Sequence, residues 1–236
     1  MKITLKMFAF LVTLFAACLV HAADSKPIAR VISVQDVETD DPTGYNTWIG
    51  KMNEVAKSKL GIDNAYHVYV SNFDGERTAS VRTVVSAESV AALTKLAAAL
   101  ENEPAIEEIL AHVRGIRKLG ARVLYQAIRF DGITKNGYLY NTLAVVSDEA
   151  GYLKALDGLR TILDNGGYQD AKINAYRVLA GRSNHTHRIG ISSPNPERFA
   201  ALLDFLVTDS QTAEWLASTA KYRTVVSNST VHEITK

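Results

Sequence analysis

Two stretches of this sequence resemble one another, and they decide the expected fold. Residues 65–93 read AYHVYVSNFDGERTASVRTVVSAESVAAL, and residues 175–202 read AYRVLAGRSNHTHRIGISSPNPERFAAL. Each begins with Ala-Tyr-x-Val, continues as an alternating run that contains an arginine, and ends in x-Ala-Ala-Leu. The alternation predicts two strands, and the alanine-rich end predicts the start of a helix. A unit that recurs in both halves of a chain predicts two copies of one small domain.

Working outward, hydrophobic periodicity predicts the order β-α-β-β-α-β twice. The first set occupies residues 29–132 and the second residues 138–236, with Lys135-Asn136-Gly137 as the linker. Asp74-Gly75 predicts a tight hairpin turn in the first set. The predicted strands cover residues 30–37, 65–73, 77–85, 121–130, 138–146, 173–180, 185–191 and 224–234; the predicted helices cover 45–60, 89–101, 105–117, 149–165 and 198–220.

This order resembles a tandem version of the dimeric α/β-barrel (ferredoxin-like) superfamily, over about residues 29–234. The segment from Glu103-Pro104-Ala105-Ile106 to Leu110 is similar to the antibiotic-biosynthesis-monooxygenase-type domains, where the second helix turns after a proline. The resemblance implies an α+β fold of two tandem ferredoxin-like repeats, whose sheets pack face to face as one intramolecular barrel around a cavity. Such families include cofactor-free oxygenases, haem-degrading enzymes, isomerases and proteins without known activity, so the fold does not choose a function.

The composition is that of an ordinary globular protein. Of the 236 residues 47% are hydrophobic, and the formal net charge is +1. That balance gives no overall field for nucleic acid, so no nucleic-acid partner is expected. The expected partner is a small molecule, and the expected assembly is a monomer or a homodimer.

The N-terminus predicts export. Lys2 and Lys6 precede an apolar run over residues 7–20, and Ala22 completes an A-x-A-like exit, as in a signal peptide of residues 1–22. The run is short for a membrane span, which makes an uncleaved anchor the weaker alternative. Cys18, the only cysteine, also resembles the lipidated residue of a bacterial lipobox. We favour a soluble periplasmic or secreted protein over a lipoprotein, because apolar residues follow Cys18.

Strand parity predicts which side chains line the cavity. If Val81 and Val85 face the helices, Arg82 faces inward, and the same argument sends His67 and Tyr69 inward. The repeat places Arg177 and Arg188 inward in the second copy, with Arg82 and Arg188 at equivalent positions. Two guanidinium groups so placed would repel unless an anion or carboxylates lay between them. The predicted ligand-binding residues are therefore Tyr69, Arg82, Arg177 and Arg188, with His67 as a catalytic candidate.

The competing interpretation is structural. These side chains could lie at sheet edges or pair with carboxylates such as Asp36. The parity of the first strand, read with Ile32 and Val34 toward the helices, places Ser33 and Gln35 inward. A slip of one residue reverses every such assignment.

Metal and cofactor signals are weak. His185 and His187 have a spacing that can hold a metal, with His232 or Glu233 as a third ligand. The repeat places both on the helix side beside Arg188, so no metal site is expected. No cofactor is expected either; haem, with His67 or His112 as ligand, is a variant of the ligand-binding hypothesis.

Three functions follow from these observations. The leading hypothesis is an exported protein that binds a small anionic or aromatic ligand in the cavity between the sheets. The second is a cofactor-free oxygenase or isomerase, with His67 as base and Arg82 and Arg188 stabilising an enolate. The third is a protein-interaction module whose barrel is filled by side chains.

Overall fold

The structure is a computed structural model that describes residues 30–73, 80–101 and 103–235. The predicted signal peptide, Cys18 and the Asp74-Gly75 turn lie outside the described residues. The α+β prediction is confirmed, with eight strands and six helices in the described part of the chain. None of the helices described there is long and apolar enough to cross a membrane.

The order of elements is β-α-β-β-α-α-β, twice. The first seven elements are β1 (Val31–Glu38), α1 (Pro42–Leu60), β2 (Tyr66–Phe73), β3 (Val81–Ala87), α2 (Val90–Glu101), α3 (Pro104–Ile116) and β4 (Lys118–Phe130). The second seven are β5 (Tyr138–Val146), α4 (Glu149–Asn165), β6 (Lys172–Gly181), β7 (His187–Ser193), α5 (Pro196–Thr208), α6 (Ser210–Thr219) and β8 (Arg223–Glu233).

The eight strands form one closed antiparallel barrel. Within each half the fourth strand lies beside the first, the first beside the third, and the third beside the second. The two four-stranded sheets join edge to edge, through β2 with β8 and through β4 with β6. Closure leaves no free sheet edge and creates an interior that both halves line.

The helices cover the outside of the barrel. In α4 the residues Tyr152, Leu156, Leu159 and Leu163 recur every three or four positions, which gives the helix one apolar face. That face packs on outward-facing side chains of β6 and β7 such as Ile173 and Ile189. In the first half α1 and α3 pack in the same way on β2 and β3. Residues that point away from the helices therefore fill the barrel.

One predicted helix is in fact two. The predicted helix 198–220 is interrupted at Asp209, which ends α5 and caps α6. Its carboxylate accepts hydrogen bonds from the backbone and the hydroxyl of Thr212, at 2.7 and 3.0 Å. Aspartate at this position competes with helix continuation and satisfies the free N–H groups of the next helix.

The predicted parity of β1 is wrong. Ile32 and Val34 face the barrel interior, where they pack with Val123 and Tyr125 of β4. Ser33 faces outward and accepts a hydrogen bond from Arg122. Both faces of β1 are buried, so the strand is apolar on both sides and alternation carries little information.

Candidate functional site

The barrel interior contains two buried arginines at corresponding positions of the two sheets. Arg82 on β3 lies opposite Asp36 on β1 and Tyr69 on β2. Arg188 on β7 lies opposite Leu143 on β5 and Tyr176 on β6. Each half thus contributes one arginine–tyrosine pair, but only Arg82 has a carboxylate opposite it on the neighbouring strand.

Arg82 has its charge compensated within the protein. It is 2% exposed, and its Nε lies 3.3 Å from Oδ1 of Asp36. It also donates from Nη1 to the hydroxyl of Ser229 on β8, at 3.3 Å. This contact matches the competing prediction of an arginine paired with Asp36. Arg82 is therefore a structural element of the barrel, and it does not line the cavity described below.

Arg188 has no such carboxylate. It is 8% exposed, and within the described part of the chain its contact is one hydrogen bond from Nε to Oδ1 of Asn141, at 3.2 Å. Burial lowers the pKa of Arg188, and the charge of Arg82 lowers it further, whereas Tyr125, Tyr176 and the carboxylate of Asp36 act in the opposite direction. A guanidinium nevertheless stays protonated in proteins, so Arg188 is a buried cation. Asn141 adds a second open donor, because its buried Nδ2 has no partner in the described structure.

A cavity of about 70 Å³ lies beside Arg188 inside the barrel. Gly190 creates much of this space: it occupies the position that Val84 has in the first sheet, and both face inward. Three of the five predicted site residues line the cavity: His67, Tyr69 and Arg188. The other lining residues are Arg30, Ile32, Val84, Ser86, Phe130, Ile133, Leu139, Asn141, Asn174, Tyr176, Gly190 and Ser192.

The two phenols beside the arginines remain protonated at neutral pH. Burial raises the pKa of Tyr69, and the nearby carboxylate of Glu233 raises it further. Burial raises the pKa of Tyr176 to about 12, although Arg188 and Arg30 act in the opposite direction. Both hydroxyls can therefore donate hydrogen bonds and add no negative charge.

His67 pairs with a carboxylate at the edge of the cavity. Its Nδ1 lies 2.6 Å from Oε1 of Glu233 on β8. Burial alone would raise the pKa of Glu233, but contacts from His67, Thr235 and the backbone of Asn136 hold it below the ordinary value. Glu233 is therefore ionised and fixes a proton on Nδ1 of His67, which leaves Nε2 as the basic nitrogen.

The predicted inward orientation of Arg177 is wrong. Arg177 pairs in register with His187, on the outer face of the barrel. Its guanidinium donates to Gln126 at 2.7 Å and lies 3.6 Å from Glu149 of α4. Glu149 also contacts Nε2 of His187 at 2.9 Å, and this hydrogen bond is the main reason its pKa is lowered.

His185 and His112 have structural contacts. His185 lies between the hydroxyls of Tyr125 and Ser183, at 2.8 Å from each. In the described ranges no group of three or more histidine, cysteine, aspartate or glutamate side chains could hold a metal ion. His112 packs against the ring of Trp48 in the outer helix layer. Haem does not fit at His67, because the adjoining cavity has only about 70 Å³.

A second, larger pocket lies outside the barrel and was missed from the sequence. It has a volume of about 380 Å³ and lies between the outer face of the second sheet and helices α4, α5 and α6. Its walls are apolar, with Leu206 and Trp215 from the helices and Ile191 from β7. Arg223 lies at its polar part and donates to the hydroxyl of Tyr152 at 2.8 Å. The break at Asp209 was the one sequence signal that could have indicated this gap in the helix layer.

The chain is similar to known proteins in structure and not in sequence. No protein-family model matches the chain, and no curated protein matches it. A provisionally assigned monooxygenase from Lactobacillus acidophilus NCFM has a TM-score of 0.56 at 10% identity, over 87% of this chain and 94% of that chain. A provisionally assigned chlorite dismutase has a TM-score of 0.52 at 13% identity, over 87% and 94%.

An anthrone oxidase-like protein has a TM-score of 0.50 at 13% identity, over 87% of this chain and 90% of that chain. At these identities the likeness establishes the arrangement of helices and strands and transfers no activity. The chain shares the fold of these proteins, which is the ferredoxin-like α/β fold expected from the sequence.

Proposed function

We propose that this protein is an exported binding protein that holds a small anionic ligand inside the barrel. The observation that carries this proposal is the charge of Arg188, which is buried and forms no ion pair with a carboxylate among the described residues. We also propose that residues 29–132 and 138–236 are copies of one ferredoxin-like unit that together form an intramolecular barrel. One chain closes the barrel, so the site needs no second copy.

The energetic argument is direct. A buried charge without a counter-ion is strongly unfavourable, and proteins normally pair it or neutralise it. Arginine cannot lose its proton at accessible pH, so neutralisation is excluded for Arg188. The protein pairs the corresponding Arg82 with Asp36, which shows what compensation looks like in this barrel. A bound anion would supply to Arg188 the negative charge that Asp36 supplies to Arg82.

Cavity size separates the two ligand classes considered from the sequence. An apolar cavity of about 150 Å³ holds benzene. The barrel cavity of about 70 Å³ is half that size, so it favours a small anion over an aromatic ring. The outer pocket of about 380 Å³ has room for an aromatic ligand between apolar walls.

Native mass spectrometry and calorimetry test the proposal together. Protein purified from its own host should carry a small added mass that is lost on denaturation, and its polypeptide mass should match cleavage after Ala22. Binding of a panel of small sodium salts should disappear in Arg188→Gln and persist in Arg177→Gln. Arg177 is the matched control because it lies on the neighbouring strand but outside the barrel. If no anion bound the wild-type protein more tightly than chloride, the proposal would be wrong.

The second candidate function is acid–base catalysis, favoured by the contact between His67 and Glu233. Glu233 holds the ring in place through its contact with Nδ1, as in catalytic carboxylate–histidine pairs. The substrate would have to be small, because His67 lines the small cavity and the larger pocket contains no histidine. Solvent deuterium should exchange into the C–H positions next to the carboxylate of a bound small carboxylic acid, as measured by NMR. This exchange should be lost in His67→Gln while binding is retained. Equal exchange in both proteins would exclude His67 as a base.

The outer pocket is the proposed site for an aromatic ligand. Trp215 lines that pocket and Trp48 lies in the other half, so a Trp48→Phe protein reports on Trp215 alone. A naphthalene carboxylate should quench this fluorescence, with its carboxylate at Arg223, and the effect should fall in Arg223→Gln. Quenching that is unchanged in Arg223→Gln would show that the carboxylate does not bind there.

A further inference from the structure

We propose that the ligand of the barrel cavity is a small planar oxoanion, of the size and shape of formate, nitrate or bicarbonate, held by one edge on Arg188 and Asn141. This inference rests on the proposed function, since it names the class of anion that the same site takes. It is carried by three properties of the cavity: its charge, the arrangement of its donors and its volume.

The lining of the cavity is positive. It contains the guanidinium groups of Arg30 and Arg188 and the ring of His67, and no carboxylate side chain among the described lining residues. The guanidinium of Arg30 lies 4.5 Å from the ring centre of Phe130, at the apolar wall. Two carboxylates act on this part of the barrel from outside the lining: Glu233, which contacts His67, and Asp36, which pairs with Arg82 and also acts on Arg188 through its charge. One monoanion would neutralise the charge of Arg188 and leave no excess negative charge in the cavity.

The donors that remain available to a ligand belong to Arg188 and Asn141. Nε of Arg188 binds Oδ1 of Asn141, which fixes the amide and leaves the two Nη groups of the guanidinium for a ligand. The amide nitrogen of Asn141 is buried and lacks a partner in the described structure. A flat guanidinium matches two oxygens in one plane, and that match is the basis of bidentate carboxylate recognition.

The apolar part of the lining favours an anion with few oxygens. Ile32, Phe130 and Leu139 contribute apolar surface to the cavity. A planar anion can present two oxygens to the donors and a C–H group or its remaining oxygen to the rest of the site. A tetrahedral anion such as sulfate would direct further charged oxygens at the apolar wall, where they would lose their water without replacement.

The volume sets an upper limit. A water molecule needs about 10–15 Å³ of such a cavity, so about 70 Å³ corresponds to roughly five water-sized groups. A Cβ at Gly190 would lie 3.4 Å from Oδ1 of Asn141, an ordinary contact, so alanine would fit there and occupy part of this space. Formate and nitrate fit this limit with room for a bridging water, whereas benzoate does not.

Calorimetric titration of the purified full protein tests the class. The probes are sodium formate, nitrate and bicarbonate, compared with sulfate, phosphate and benzoate at equal ionic strength. We expect the planar ions to bind about tenfold more tightly than sulfate or phosphate, and benzoate not to bind in the barrel. Arg188→Lys keeps the charge and loses the planar fork, so it should weaken formate binding about tenfold and reduce the preference over sulfate. Arg177→Lys should leave both unchanged.

The outcomes separate this inference from the proposed function. Sulfate or phosphate binding as tightly as formate, with loss in Arg188→Gln, would overturn the planar class and leave the anion site intact. Absence of binding for every anion would overturn the proposed function itself. Gly190→Ala, which keeps all donors and narrows the cavity, should weaken acetate more than formate. Equal effects on both ions would contradict the size limit.

Discussion

Arg188 lies opposite Leu143 in the barrel, at the position where Arg82 in the other half lies opposite Asp36. The two arginines are both buried, yet only Arg82 forms an ion pair within the described residues. The first strand of the first half has Asp36 at this position, and the first strand of the second half has Leu143. This one difference therefore separates a structural arginine from one that is available to a ligand. This relationship leads to two predictions that use the halves as each other's control.

Leu143→Asp should abolish anion binding. The new carboxylate would lie opposite Arg188 as Asp36 lies opposite Arg82, and it would compete with any external anion for the guanidinium. Leu143→Asn has nearly the same size and polarity without the charge, so it isolates the electrostatic effect. We expect formate affinity to be about tenfold lower in the aspartate variant than in the asparagine variant, measured by calorimetry. Equal affinities would mean that anions bind elsewhere.

Substitutions at the two arginine sites should change the free energy of unfolding in opposite directions. Asp36→Asn leaves Arg82 buried without its carboxylate and should lower the free energy of unfolding by about 3 kcal/mol. Arg188→Met removes a buried charge that has no carboxylate to leave behind. It should keep or raise the free energy of unfolding in anion-free buffer, by about 1 kcal/mol.

Urea denaturation without and with saturating formate measures both effects. Formate should stabilise the wild-type protein and leave Arg188→Met unchanged, because a ligand that binds only the native state adds stability. Asp40→Asn, at an exposed position just beyond β1, is the control for the loss of a carboxylate. Strong destabilisation by Arg188→Met without ligand would show that Arg188 has a structural counter-ion.

The inward position of Arg82 could be predicted from the sequence, and that of Ile32 could not, for the same physical reason. Around Arg82 the neighbours Val81, Thr83 and Val85 all face the helices, so one face of β3 is clearly distinguished. β1 has valine or isoleucine on both faces because its two sides are both buried. Alternation identifies a face only when the two faces differ in polarity.

The predicted orientation of Arg177 is wrong because the two halves were aligned by the identity of their residues and not by the register of their strands. The Ala-Tyr-x-Val motifs pair Tyr66 with Tyr176, but the strand register pairs Tyr69 with Arg82 and Tyr176 with Arg188. Tyr176 therefore corresponds to Tyr69, three positions later, and an odd shift exchanges the two faces of the strand. The sizes and linings of the barrel cavity and the outer pocket could not be predicted, because both depend on how several elements pack together.

Acid should weaken the contact between α4 and the barrel. The hydrogen bond from His187 is the main reason that the pKa of Glu149 is lowered below its ordinary value of 4.5, with burial acting against it. A carboxyl with a lowered pKa contributes stability above its unfolded pKa and loses it as the pH falls through the folded pKa. The stability difference between wild type and Glu149→Gln should thus be full above about pH 4.5 and shrink below it.

Urea denaturation of both proteins between pH 7 and pH 3 measures this difference. Glu214→Gln on the exposed side of α6 is the control, and its stability should follow the wild type at every pH. A difference that is constant down to pH 3 would show that the carboxylate of Glu149 contributes nothing through its charge.

Asp209→Ala should loosen α6 selectively. The carboxylate of Asp209 accepts from the backbone N–H and the hydroxyl of Thr212, and loss of such a cap destabilises by about 1 kcal/mol. Asp209→Asn keeps an acceptor and should retain most of the stability, whereas Asp204→Ala on the exposed face of α5 should have little effect. Trp215 on α6 donates from Nε1 to the backbone carbonyl of Ala155 on α4, so its fluorescence reports local release of α6. In a Trp48→Phe background we expect this signal to change at a lower urea concentration in Asp209→Ala than the circular dichroism of the whole protein. Coincident transitions would show that α6 unfolds only with the barrel, and that the outer pocket it covers is as rigid as the core.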